Sequence, residues 1–222
     1  MEEMKLYYWS FRGLKEPIAH LIEYCGVPYK FIPVANSNEW NKLRDETAKK
    51  GFGLASLPML EYQGKYISEP LAIMSHVALM TDKVEMTPGD YNFGRFMQVY
   101  GVISDLFSDI TKPAYSSVSP EAFRQAYLKA CQINKIKIES IDNLVGKNKW
   151  LLGDDLSIID FKLAEVIDKM KAIEEDLEVE IISQYLNLET YLGRFLGIPE
   201  VKEYRTSDRF EARPYNGEAV WQ

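Results

Sequence analysis

The chain has very little of what most binding and redox chemistries need. It holds two cysteines, Cys25 and Cys131, far apart and in no metal-binding or C-x-x-C spacing, so no disulfide framework is expected. Both fall on apolar faces of predicted helices and read as buried, inert thiols, which points to a reducing compartment and a cytoplasmic protein. The two histidines, His20 and His76, have no visible partner, and no metal site is expected. No apolar run is long enough to span a membrane. Lys5, Arg12, Lys15 and Glu16 interrupt any signal-peptide core near the start. Acidic residues exceed basic ones (33 against 26) and no basic run occurs, so nucleic acid is an unexpected partner.

What is present is an ordinary globular composition, 46% hydrophobic over 222 residues, enough for one large domain or two small ones. Residues 5–9 form an aromatic-rich first strand. Leu14, Pro17, Ile18, Leu21, Ile22 and Cys25 recur at helical spacing, and Gly26 stops that helix. Residues 29–34 alternate as a second strand, and residues 38–50 are polar and helix-compatible around Trp40 and Leu43. Residues 58–62 and 65–68 flank Gln63-Gly64 as a hairpin, and Pro70 opens another helix. The first 80 residues thus predict β-α-β-α-β-β-α, a mixed four-stranded sheet. Pro88-Gly89-Asp90 marks a linker, which sets domains at 1–84 and 90–222.

Beyond the linker the pattern is helical throughout. Phe123, Ala126, Tyr127, Ala130, Ile133, Lys137, Ile141, Leu144 and Val145 trace one long helix, capped by Ser119 and ended by Gly146. Leu188, Tyr191, Leu192 and Phe195 trace another. Ser157-Ile158-Ile159-Asp160 forms a capping box, with Asp in the place of Glu.

Chemistry concentrates at the end of the first strand. Tyr8-Trp9-Ser10-Phe11-Arg12-Gly13-Leu14 sets a phenol, a hydrogen-bond donor, against the start of the next helix, where anions are favoured. Tyr7, its neighbour, points to the opposite face and is expected in the core. Leu57-Pro58 opens the third strand, and a proline there leaves the backbone groups of Leu57 free for a ligand. Ser68-Glu69-Pro70 starts a helix whose amides can hold a carboxylate. Trp40 and Arg44 share one helix face. Together these elements can hold a small, extended, zwitterionic peptide.

With those motifs in view, the chain resembles the cytosolic glutathione transferases, most closely the Mu class. The resemblance rests on Tyr8-Trp9-x-x-Arg12-Gly13-Leu14, Trp40 with its cation four residues on, Leu57-Pro58, Ile67-Ser68-Glu69 and Ser157-x-x-Asp160. It also rests on the spacing of Arg95, Asp105 and Tyr115, and on the tail from Ser207 to Pro214 with Ala219-Val220-Trp221. It implies a thioredoxin-like α/β domain with a mixed four-stranded sheet, an all-helical domain and a cytoplasmic homodimer acting in detoxification. It further implies that the enzyme activates glutathione as a thiolate for conjugation to small apolar electrophiles.

Carried over by position, Tyr8 is the catalytic tyrosine. Trp9, Trp40, Arg44 and Lys49 meet the glycine end of glutathione, and Leu57 beside Pro58 pairs with its cysteinyl backbone. Glu69 meets the glutamyl ammonium, with Asp105 of the other subunit. Leu14 counts among the glutathione-binding residues, and with Phe11, Tyr115 and Phe210 it lines the pocket for the apolar electrophile. Pro70 departs from the pattern: it stands where the family has a serine that binds the glutamyl carboxylate, and it has neither a hydroxyl nor an N–H. Ser75 and Leu79 replace interface arginines. These departures support a second reading, a glutathione transferase-like assembly subunit with weak or no activity.

Overall fold

The structure is a computed structural model that describes residues 2–85 and 93–222. The expected Pro88-Gly89-Asp90 linker lies outside the described residues. Strand β1 (Met4–Trp9) buries Met4, Leu6 and Tyr8 and leaves the alternate residues half-exposed. Helix α1 (Glu16–Cys25) then crosses over to β2 (Tyr29–Val34), which pairs parallel to β1. Gly26 ends α1 in the left-handed conformation (φ 66°), its amide bonding back to the last turn.

After α2 (Ser37–Lys49), β3 (Met59–Tyr62) and β4 (Lys65–Ser68) form an antiparallel hairpin. Its turn residues Gln63 and Gly64 both have positive φ, 50° and 70°, the geometry a two-residue hairpin loop needs. β3 pairs antiparallel with β1, giving the order β2-β1-β3-β4. Helix α3 (Pro70–Thr81) packs beside α1 on this sheet. The mixed sheet and its helices are thioredoxin-like.

The other half is helical: α4 (Phe93–Ser116), α5 (Pro120–Ile133), α6 (Lys135–Val145), α7 (Ile158–Leu177), α8 (Leu186–Leu196) and α9 (Pro199–Arg205). None of the described helices is long and apolar enough to cross a membrane. α7 is buried on nearly every side, as the centre of a helical core must be, and α1 packs directly against it. One continuous core therefore runs from β1 through α1 to α7 and α8.

The capping box at the start of α7 is built as expected, and it does more. Asp160 accepts from the amide and hydroxyl of Ser157 (both 2.8 Å), from the amide of Leu151 (2.8 Å) and from the hydroxyl of Tyr191 (2.7 Å). It thus ties the α7 start to the preceding loop and to α8.

Two expectations need correction. The predicted long helix over 119–146 is two helices, broken at Asn134. That buried side chain donates to the Ala130 carbonyl (3.0 Å), and such a local bond competes with helix continuation. The break shifts the buried face to Cys131, Ile138 and Ile141 and leaves Ile133 70% exposed. Tyr7 does point away from Tyr8, but not into the core. It is half-buried on the other sheet face, where its hydroxyl donates to Glu61 (2.6 Å).

Candidate active site

The site assembles where β1 hands over to α1. Tyr8 is only 5% exposed, with its ring edge-on to Phe11 at 5.3 Å. The amide of Leu14 donates to the Tyr8 oxygen at 3.1 Å. Burial pushes the phenol up to about 12, only partly offset by that amide, so at neutral pH Tyr8 is a neutral O–H donor and not a base. Gly13 makes this approach possible. It sits at φ +43°, and a Cβ there would lie 2.5 Å from the Tyr8 hydroxyl.

A second cluster forms across the sheet, around the cis Leu57–Pro58 peptide. The β3–β4 ladder begins at Met59 opposite Ser68, so the backbone of Leu57 takes no part in it. The Ser68 hydroxyl donates to the Ser56 carbonyl (3.0 Å) and accepts from the Ser56 amide (3.1 Å), and the Ser56 hydroxyl donates to the Glu69 carboxylate (3.0 Å). This strap brings Leu57, Pro58, Glu69 and Pro70 to one edge. Glu69 has φ 74°, a conformation that costs a non-glycine residue energy and is held here by the strap and the helix that follows. Pro70 is the first residue of α3 and offers no amide.

Trp40 is half-exposed on α2, one turn before the exposed Arg44, whose guanidinium lies 3.6 Å from Asp45. Lys49 is exposed at the end of α2, and Asp105 is exposed on α4.

A cavity of about 600 Å³ lies beside Tyr8. Trp9, Phe11 and Tyr115 line it, as do residues 34–37, Gly217 and Glu218. Tyr115 is near enough for its phenol to influence that of Tyr8. Residues 34–37, 217 and 218 carry no motif that predicts this role; the tail motif Ala219-Val220-Trp221 lies beside the last two. Trp9, expected at glutathione, stands in the cavity wall.

Phe210, expected in the pocket, is not among these lining residues. Its ring packs on the guanidiniums of Arg12 (5.2 Å) and Arg205 (4.6 Å) and on Tyr204. The reason is Arg12, a motif residue to which the sequence assigned no role. Fully buried, it donates to Glu165 (2.5 Å) and Asp168 (2.7 Å) on α7 and lies over the Tyr215 ring at 4.0 Å. Burial pushes the Glu165 carboxyl up to about 7, against the pull of Arg12. Burial also raises Asp168, but Arg12 and Arg205 outweigh it and hold that carboxyl low. The amides of Arg12 and Gly13 donate to the carbonyls of Pro214 and Tyr215 (2.9 and 3.1 Å). The tail thereby fixes the loop that carries Phe11 to Leu14.

The arrangement defines a two-domain protein with a buried phenol donor at the junction of a thioredoxin-like sheet and a helical bundle. Comparison with known proteins agrees. Residues 4–79 match the family model "Glutathione S-transferase, N-terminal domain", and residues 104–208 match "Glutathione S-transferase, C-terminal domain". The chain belongs to the glutathione S-transferase family. It is 27% identical over 213 residues to the class-mu 26 kDa isozyme 1 of Fasciola hepatica, covering 96% of this chain and 91% of that protein. It is also 27% identical over 228 residues to the Mu 2 enzyme of Homo sapiens, covering 98% of each. The crystal structure of the glutathione transferase Blo t 8 superposes with a TM-score of 0.80 at 21% identity, covering 97% of this chain and 98% of that one.

Proposed function

We propose that the protein binds glutathione in an extended pose along the sheet edge and activates its thiol for attack on a small apolar electrophile. The observation that carries this reading is the state of Tyr8. Its oxygen already accepts from Leu14, so its own proton is free to point outward toward a sulfur. A free thiol with a pKa of about 8.5 is mostly protonated at neutral pH. A hydrogen bond to a charged group is worth about 1.5–3 kcal/mol. At about 1.36 kcal/mol per unit, that lowers the thiol pKa by about 1–2 units. The bound sulfur is then largely thiolate, and proximity to an electrophile in the desolvated cavity does the rest.

In this reading the backbone of Leu57 pairs with the cysteinyl unit beside Pro58. Glu69 takes the glutamyl ammonium, joined by Asp105 of a second copy in a homodimer. The amides of Leu71 and Ala72 meet the glutamyl carboxylate. Trp40, Arg44 and Lys49 receive the glycine carboxylate, with Trp9 and Leu14 between that end and the thiol. Phe11 and Tyr115 face the electrophile. The domains divide at about residues 84–90, and the location is cytoplasmic, as for Mu-class relatives. The intact Tyr8 and Leu57 geometry favours an enzyme over an inactive assembly subunit.

Calorimetric titration with glutathione, paired with a conjugation assay, tests the reading. The expected result is a dissociation constant at or below the millimolar range and conjugation that saturates with glutathione. A constant far above millimolar contradicts it.

A further inference from the structure

α7 buries five ionisable side chains in its run through the core: Asp160, Lys162, Glu165, Lys169 and Glu174. Four have close hydrogen-bond or ion-pair partners, Asp160 through the capping network. Glu165 meets Arg12; Lys169 donates to Thr111 (2.9 Å) and Asn216 (2.7 Å); Glu174 accepts from the amides of Ile182 and Ser183. Lys162 does not. It is 6% exposed, and its only hydrogen-bond neighbour among the described residues is the Tyr100 hydroxyl at 3.5 Å. Its ammonium otherwise lies over the rings of Tyr100 (4.7 Å) and Phe107 (5.7 Å). No described carboxylate comes within ion-pair distance of it.

An unpaired buried ammonium is costly, and aromatic faces return only part of that cost. Burial alone pushes Lys162 down to about 8, which leaves it mostly charged at neutral pH. A charged group kept dry and without a counter-ion suits an anion that arrives from outside.

The surroundings say where that anion comes from. Tyr100, Ser104, Phe107, Thr111 and Tyr115 follow helical spacing along one face of α4 and are none of them buried. At one end Tyr115 lines the cavity beside Tyr8. At the other, the Tyr100 phenol is close enough to Glu69 to be influenced by its carboxylate. Lys162 therefore lies behind the face that runs between the electrophile cavity and the Glu69–Pro70 edge.

We propose that Lys162, with the Tyr100 hydroxyl beside it, accepts a carboxylate of a bound substrate. An ammonium offers three donors and a compact charge, and the phenol adds a fourth donor. The inference rests on the glutathione reading only for the owner of that carboxylate. One source is the glutamyl carboxylate, which loses a hydroxyl and an amide at Pro70, keeps only the amides of Leu71 and Ala72 there, and has room for a further donor. The other is an acid group on the apolar co-substrate.

Calorimetry on the whole protein separates the two. One pair of ligands is glutathione and its analogue lacking the glutamyl α-carboxylate. The other is 4-phenylbutanoate and its methyl ester. In at least one pair, the acid is expected to bind the wild-type protein about 10- to 100-fold more tightly than its partner. Lys162→Met removes that preference and Lys162→Arg retains it; Lys162→Gln replaces the methionine variant if that one does not fold. A preference in the glutathione pair assigns the glutamyl carboxylate, and one in the phenylbutanoate pair assigns the co-substrate. No preference by the wild type in either pair overturns the proposal whatever the variants do. So does a preference that survives in a folded Lys162→Met protein. If glutathione does not bind at all, the functional reading fails, and the phenylbutanoate pair alone still decides for or against Lys162.

Discussion

The amide of Leu14 donates to the phenol oxygen of Tyr8 at 3.1 Å. That one bond orients the catalytic candidate. It occupies a lone pair, adds partial positive charge at the oxygen and makes the O–H a better donor. It exists because Gly13, at φ +43°, lets the backbone turn back over the ring without a side chain in the way. A Gly13→Ala variant is expected to lose activity together with stability, because its methyl group would lie on the hydroxyl.

Pro70 is the weak point of the glutathione edge. It removes an amide and a hydroxyl that a glutamyl carboxylate can use. Pro70→Ser restores both. Tighter glutathione binding is expected, by about tenfold to a hundredfold if one charge-assisted bond is regained. Titration calorimetry reads it; unchanged affinity means that the carboxylate is held elsewhere, with Lys162 the first place to look.

Arg12 joins the two halves through Glu165 and Asp168. Asp168 keeps Arg205 as a partner (3.0 Å), but Glu165 has no second ion pair among the described residues. Arg12→Met is therefore expected to destabilise the fold by about 3–5 kcal/mol, the cost of stranding a buried charge. Adding Glu165→Leu is expected to recover most of that loss. Urea denaturation of the two variants checks both, and an Arg12→Met protein as stable as wild type contradicts this account of the interface.

Asp160 accepts from four donors, and Ser157 supplies two of them. Ser157→Ala is expected to cost about 0.5–2 kcal/mol, as for a lost cap. Asp160→Ala strands the amides of Ser157 and Leu151, while the Tyr191 hydroxyl keeps the backbone carbonyl of residue 160 (3.2 Å); the loss is expected to be at least about 2 kcal/mol at about 1–3 kcal/mol per unmet group. Equal losses in thermal or urea unfolding would show that the network acts only as a cap.

His20 gives a pH signature. It is buried among Phe195, Tyr204 and Phe210 with neither ring nitrogen hydrogen-bonded, and its Nε2 lies 3.9 Å from the buried Glu16 carboxylate, whose pull is weaker than the effect of burial. Burial lowers its pKa from about 6.5 to about 4. The folded state therefore binds fewer protons than the unfolded state between these values, and stability falls as pH drops through that window. Glu165, raised to about 7 by burial, pushes the opposite way over part of the same range, so the wild-type profile alone is ambiguous. The difference between wild type and His20→Leu isolates the histidine. Wild type is expected to lose about 3 kcal/mol relative to the variant between pH 7 and pH 4. A pH-independent difference contradicts it.

Local signals were legible in the sequence and partners distant along the chain were not. The alternation of β1, the left-handed Gly26, the Gln63-Gly64 turn and the Ser157-Asp160 box each follow from a few neighbouring residues. The break at Asn134 did not show, because a side chain bonding its own backbone leaves the apolar period almost intact. Alternation put Tyr7 and Tyr8 on opposite faces, but it does not say which face the helices α1 and α3 cover. The packing of Phe210 on Arg12 was not legible either, because Arg12 is held by α7, far away in sequence. The same burial hid Lys162, which in a polar-apolar pattern reads as a solvated helix face.

The most direct test of the central claim is the thiol titration of bound glutathione, followed by thiolate absorbance in wild type and Tyr8→Phe. In wild type the bound thiol is expected to titrate about 1–2 units below its free value of about 8.5. In Tyr8→Phe it returns toward that free value, and conjugation at neutral pH slows by about tenfold or more. The same thiol pKa in both proteins would contradict the role assigned to Tyr8.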